Sequence, residues 1–598
     1  MPLLTKTQSK PLDPMKTKQL KTLGLAIVAA VGFSACTGLG KMYKKNSTVT
    51  YTVKPNPLEE HGDSVMVTVE GKYPPKYFGK KVELTFTPKL KWNGGEKDFK
   101  SITIDGEKVK DAKGKTINYK EGGSFSYTDK IAYMPGMEDH SQLYVEAKGQ
   151  VKKKTKDMPE TKIADGVIIT PMLVKSDEMP IMGKDKFVKV VPMTLETQIF
   201  FVISQSTVRP SEMNSEEMKN LKKFIENGMN NQFIQIKNMS VSAYASPDGE
   251  TQFNANLAED RAKSSINYFM KTMMKEKKTK FDAGQQESFY STTTTAEDWA
   301  GFEKLVKEST DPKVVADRDV ILGVLKMYPD LEVREKEIKN LSKTYTHLAD
   351  KILPKLRRSV NTLNYDKKSR TDDMIKTMMI SSPDSLSVEE FLYGANLVSD
   401  LNTKATVYKN AEQRYASDWR TSNNLGCVYL MQNKLNEAKM EFDKANKLSA
   451  NNPIVMNNLG ICARWSGDRK AAADYYKQAN GAGPEVMYNQ GILDIMSGNY
   501  PSAVTNFGSY KTFNSALAMV LSGNTDGAMQ TLDASKEKDD ALSYYLRAVI
   551  GARTGKTDMM ITNLKMAIQK DASLKEKAKK DMEFFKYKDN ADLKAIIG

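Results

Sequence analysis

Asn424-Leu425-Gly426 recurs as Asn458-Leu459-Gly460, 34 residues on, and Ala438, Phe442 and Ala445 recur as Ala472, Tyr476 and Ala479 at the same interval. A period of this length marks one supersecondary unit that cannot bury its apolar face alone and must stack on a neighbour. Gly and Ala let two helices approach, and Phe or Tyr fills the space beside them, so each unit reads as a helical hairpin. Asn489-Gln490-Gly491 follows after 31 residues, and Gly467-Asp468, Gly498-Asn499, Gly523-Asn524 and Gly555-Lys556 mark further turns. The 25-residue step from Gly498 to Gly523 makes one unit short. With Leu392-Tyr393-Gly394 and Ala405 opening the series, roughly five to six helical pairs are expected over 385–598.

The pattern before residue 385 is different. A chain of 598 residues suggests about three to five domains. Over 49–191 the period is two: Val65, Val67 and Val69 alternate, as do Val82, Leu84 and Phe86. Turn clusters such as Pro74-Pro75, Asn93-Gly94-Gly95 and Gly122-Gly123 separate these runs. One or two small β-sandwich units are expected over 51–194, after a polar tether at 36–50. The run of Lys152, Lys153, Lys154 and Lys156 reads as a solvated loop. Over 195–366 the order becomes strand (199–203), helix (212–229), strand (233–244), helix (253–274). A polar loop to about residue 295, a helical stretch to 350 and a last strand near 356–363 complete it. That order predicts an α/β layer with helices on one face and a helical insertion at 275–350. Residues 367–384 read as a linker.

The N-terminus bears on compartment. Lys16, Lys18 and Lys21 precede an apolar run from Leu23 to Phe33, too short to span a bilayer and of signal-peptide length. Removing residues 1–35 takes away five Lys and one Asp, which lowers the net charge from +15 to +11. Three Cys cannot build a disulfide framework, and three widely spaced His leave no cluster for a His-rich metal site. No metal ligand set, Walker loop or nucleophile elbow is present, so no cofactor and no catalytic residue are expected. The excess charge is spread along the chain, so no nucleic-acid stripe is expected either.

Several stretches carry family resemblances. The 34-residue period resembles that of tetratricopeptide repeats. In those repeats the first helix of each pair lines a concave surface, so Asn424, Asn458 and Asn489, each two residues before the small packing residue, fall on one inner ladder. An amide both donates and accepts, so such a ladder suits the backbone of a peptide partner. Cys427 and Cys462 fall on the same helices and are expected as buried structural thiols.

Phe33-Ser34-Ala35-Cys36 resembles a lipobox, which implies lipidation of Cys36 and an outer-membrane anchor. The sequence style resembles Bacteroidetes envelope lipoproteins, and the basic stretch after Cys36 implies the periplasmic face.

Asn254-x2-Leu257-Ala258-x2-Arg261-Ala262, with Gly249 before it, resembles the motif of OmpA-like domains, whose fold is β-α-β-α-β. In that family an Asp at the end of the second strand and the motif Arg bind the diaminopimelate of peptidoglycan by charge pairing. Arg261 holds the Arg position, Ser246 holds the Asp position, and Asp248 is the nearest carboxylate. Asp248, Asn254 and Arg261 are therefore the candidate wall-binding residues. Arg357-Arg358 is expected to face solvent. The function implied is a non-enzymatic scaffold or adaptor in an envelope-assembly or secretion complex, with peptidoglycan and other envelope proteins as candidate partners. The alternatives are a fimbria assembly or anchoring factor and, remotely, a cell-wall enzyme.

Overall fold

The computed structural model describes residues 38–598. The signal segment and Cys36 lie outside the described residues. The chain divides into two compact units: one contains residues through Met179 together with Pro484–Gly598, the other Pro180–Gly483. No helix among the described residues is long and apolar enough to cross a membrane.

In the first unit, eleven strands between Thr50 and Ile168 form one sheet folded on itself. Thr50–Lys54, Ser64–Tyr73 and Gly123–Ala132 make one antiparallel layer. Glu83–Trp92, Gln142–Val151 and Thr161–Ile168 form the centre of the other. The alternation in Ser64–Tyr73 buries Val65, Val67 and Val69 completely. Phe86 of the second layer meets Phe125 and Tyr127 of the first, with ring centroids 4.9 and 5.7 Å apart. Each such side chain removed from water stabilises by roughly 1.5–3 kcal/mol. The two layers are not separate sheets. Leu58–His61 pairs in parallel with Thr161–Ile168 and joins them along one edge, a non-local pairing that period-two alternation does not encode.

The expected polar tether is partly structured. Helix Gly38–Lys44 places Leu39 and Met42 on one side, three residues apart, and both are buried in the β core. The β part ends at Ile168, short of the expected residue 194. A short 3-10 turn, Thr170–Leu173, leads into extended chain. The same unit contains the last helical pairs, from Pro484–Met496 through Ala591–Ile597. They pack against the β part: His61 Nδ1 lies 2.7 Å from the Tyr500 hydroxyl, and Lys580 pairs with Asp139 at 3.3 Å.

The second unit has a four-stranded sheet in the order Val190–Phe200, Arg358–Lys368, Ile234–Tyr244, Tyr290–Thr295. The first three are antiparallel neighbours and the last pairs in parallel. Helices Glu216–Met229 and Thr251–Lys271 cover the face carrying Ile199, Met239, Val241 and Leu363. Ser215 caps the first helix, which starts four residues later than the expected residue 212. Strand Tyr290–Thr295 lies where a loop was expected: it is Ser/Thr-rich and mostly exposed, so its β-branched residues show no apolar alternation. The outer edge of Val190–Phe200 is guarded. Glu217 and Glu212 accept from the Gln198 and Phe200 amides, both at 3.0 Å, and Pro192 has no amide to offer. The insertion builds its own small core from Trp299, Phe302, Ile321, Leu348 and Leu353.

Residues 367–384 are not a bare linker, since Asp372–Ser381 is helical with Ile375 and Met379 buried. Helical pairs then follow through Arg469–Gln478. A Cβ on Gly426 would lie 2.6 Å from the Phe442 ring, and one on Gly460 2.6 Å from the Tyr476 ring. The small and large residues of the repeat therefore meet inside each hairpin.

Candidate functional site: an asparagine ladder and the segment it holds

The first helices of successive hairpins carry buried amides, and extended chain between Leu173 and Phe187 lies on them. In the first unit, Lys175 donates its amide N–H to Asn514 Oδ1 at 2.8 Å, and Asn514 Nδ2 donates to the Lys175 carbonyl at 2.9 Å. Asn489 does the same with Met179, at 2.7 and 3.0 Å. In the second unit, Asn458 takes both main-chain groups of Ile181 at 2.8 Å, and Asn424 those of Gly183 at 2.7 and 2.9 Å. In extended chain the N–H and C=O of one residue point to the same side, and alternate residues share that side. A carboxamide offers one acceptor and one donor side by side, so each Asn acts as one residue of a neighbouring strand.

Further groups hold the amides and the segment in place. Asn423 Nδ2 donates to the Ile181 carbonyl at 3.1 Å, and Asn458 Nδ2 to Asn423 Oδ1 at 2.9 Å. The Cys427 thiol donates to the same carbonyl at 3.4 Å, and burial pushes its pKa up, which suits a structural thiol. Tyr488 donates to Asp177 at 2.8 Å and Asn514 Nδ2 to its other oxygen at 2.7 Å. Burial first, then Glu537 and Glu178, raise the Asp177 pKa to about 6, against the lowering effect of Tyr488 and Lys175. Lys175 reaches Glu537 at 2.6 Å. Arg420 joins Glu389 and Asp418, each at 2.7 Å, and donates to the Lys184 carbonyl at 3.1 Å. Burial acts to raise the Glu389 pKa, but Arg420 and the Lys186 amide together hold it below the ordinary carboxylate value.

The ladder residues Asn424, Asn458 and Asn489 were expected to read a partner's backbone. The backbone on them belongs to this chain. Asn514 was not anticipated, because its unit has Ala516 where the others have Gly. Its position still follows the rule: Ala516 stands seven residues before the turn glycine Gly523, as Gly460 does before Gly467. The held segment itself was assigned to the end of the β region.

The second candidate cluster lies in the α/β layer. Asn254 Nδ2 donates to the carbonyls of Ser246 and Gly249 at 3.2 and 2.9 Å, which pins the loop before its own helix. Arg261 is 1% exposed. Its guanidinium donates to the carbonyls of Gln205, Tyr244 and Val202 at 3.1, 2.9 and 3.3 Å. Burial, and Arg357 nearby, pull its pKa down to about 10. Asp248 accepts from Ser246 Oγ and pairs with Arg357 at 2.8 Å, while Arg357 Nε donates to Ser246 Oγ at 3.1 Å. The expectation of two solvated arginines is therefore corrected. Arg357 is buried against Asp248, and Arg358 pairs with Asp298 at 2.8 Å under the Tyr244 ring. Arg261 and Asp248 do not pair directly. One is spent on main-chain carbonyls and the other on a different arginine. No group of metal-ligand type is found among the described residues.

No family model and no curated protein matches the chain. Solved structures with partial likeness are repeat proteins. One is a tetratricopeptide repeat protein from Parabacteroides merdae, 15% identical, covering 35% of this chain and 91% of that one, with a TM-score of 0.28. Another is YrrB, described as a TPR protein with an unusual peptide-binding site, 18% identical over 27% of this chain and 91% of that one, TM-score 0.21. A third is pilF of Pseudomonas aeruginosa, 16% identical over 37% of this chain and all of that one, TM-score 0.28.

Proposed function

We propose that this chain is a non-enzymatic scaffold of the cell envelope, carried on the periplasmic face of the outer membrane by a lipid on Cys36. The observation that supports it best is the filled ladder. The repeats spend their buried amides on the chain's own segment 175–183, so they organise this protein, and other envelope proteins meet its outer surfaces. In each unit two amides each satisfy both main-chain groups of one residue of the segment, which suits a brace. The test is photo-crosslinking from exposed positions of the helical hairpins in intact cells, with identification of the products. Discrete heterologous products support the scaffold, and a chain that yields none overturns it. Loss of radiolabelled palmitate and of membrane association in Cys36→Ala tests the anchor separately.

Peptidoglycan tethering draws less support from the geometry. The guanidinium that would meet a diaminopimelate carboxylate is buried and already donates to three carbonyls, and Asp248 is already paired. Sedimentation with purified sacculi, comparing wild type with Arg357→Ala, tests what remains of that reading. Equal retention of the two removes this cluster as a wall site.

A further inference from the structure

The covered face of the second unit's sheet continues past its helical cover. Along Val190–Phe200, Ile199 and Leu195 belong to the core, and the same face continues to Met193 and Val191, which are 41% and 38% exposed. Helix Glu216–Met229 stops before it covers them. Ile234 extends the face on the neighbouring part of the sheet, and Phe187 and Phe233 close its sides. The result is a cleft of about 640 Å³ with a mostly apolar lining, within the range of ordinary small-molecule sites.

The charged rim is lopsided. Glu390 is taken by Arg370 at 2.8 Å, and Glu389 by Arg420 at 2.7 Å. Lys367 and Lys368 also line the cleft, and neither has an ion pair among the described residues. The unbalanced charge at the mouth is therefore positive. A peptide strand is disfavoured as occupant. It would need the main-chain groups of the outer edge, where Pro192 lacks an amide and the Gln198 and Phe200 amides are taken.

We propose that this cleft binds a single-chain anionic amphiphile, an acyl carboxylate whose chain lies on Val191, Met193 and Phe233 and whose head meets Lys367, the strand partner of Val191, with Lys368 adding to the positive charge at the mouth. The full chain is titrated with cis-parinaric acid, read by fluorescence, beside the corresponding neutral alcohol. Wild type is expected to take up the acid saturably at one site. Val191→Asp/Met193→Asp abolishes uptake of both probes. Lys367→Glu/Lys368→Glu weakens the acid about fivefold or more and leaves the alcohol unchanged. Both lysines are exposed, so that variant keeps the wild-type circular dichroism and Tm. No saturable uptake by wild type, or lysine variants that bind the acid normally, overturns the proposal. So does an acidic apolar peptide that displaces the probe from wild type while dodecanoate does not, which assigns the cleft to a protein partner.

Discussion

Asn424 grips Gly183 by both of its main-chain groups: Oδ1 accepts from the Gly183 amide at 2.7 Å, and Nδ2 donates to the Gly183 carbonyl at 2.9 Å. Both residues are buried. A strand that finds no neighbour in a sheet must satisfy its polar groups elsewhere. Here side-chain amides replace the missing strand, and they read the backbone with little regard to side chain.

Removing one rung leaves a buried N–H unsatisfied. Asn458→Ala is expected to cost about 1–3 kcal/mol, the range for an orphaned buried polar group. The Ile181 carbonyl keeps its bond from Asn423, so the loss falls mainly on the Ile181 amide. Hydrogen exchange followed by mass spectrometry should show faster exchange over 175–183 with little change in the β part. Unchanged protection there would mean that the ladder contributes nothing to holding the segment.

Gly183 is required by space. A Cβ at this position would lie 2.7 Å from Arg420 Cγ and 3.2 Å from the Trp419 ring. Arg420 is itself held by Glu389 and Asp418, so it cannot give way without loss of two ion pairs. Gly183→Val is expected to destabilise by about 1–3 kcal/mol through overpacking. Limited proteolysis should then cut within 175–189 where wild type resists.

The pair Asp248–Arg357 is nearly buried, with both side chains 10% exposed. Removing one partner leaves a charge without compensation, which typically costs about 3–5 kcal/mol, whereas replacing both costs far less. Arg357→Ala should therefore destabilise more than Arg357→Ala/Asp248→Ala. Urea melts of the single and double variants measure the difference. Additive losses would show that the pair is not coupled.

The repeats were legible because a hairpin's packing residues recur in fixed register. Gly426 against Phe442 and Gly460 against Tyr476 are local pairs within one unit. The occupant of the ladder was not legible. Asn424 and Gly183 are 241 residues apart, and an amide that binds main chain leaves no signature in the side chains it binds. The same holds for Arg357. Its sequence shows a charged residue beside another, while its burial depends on Asp248, 109 residues away. The Asn254–Arg261 motif was visible, but its contacts with the carbonyls of Val202, Gln205 and Tyr244 come from folding of the layer.

The held segment should also respond to pH. Asp177 lies between Tyr488 and Asn514, and burial raises its pKa from the ordinary 3.8 to about 6. A carboxyl with a higher pKa folded than unfolded binds its proton more tightly in the folded state. Its contribution is fully present below pH 3.8 and is lost as pH rises through about 6. Glu537, Glu178, Lys175 and Tyr488 are the other titratable groups around it, and all of them remain in Asp177→Asn. The difference between wild type and that variant therefore isolates this one group. Exchange at the Lys175 and Met179 amides, corrected for intrinsic rate, should slow in wild type as pH falls from 7.5 to 5. The variant should show a flat profile over the same range. A wild-type profile that matches the variant's would place the Asp177 carboxyl in ordinary solvent contact and remove it from the brace.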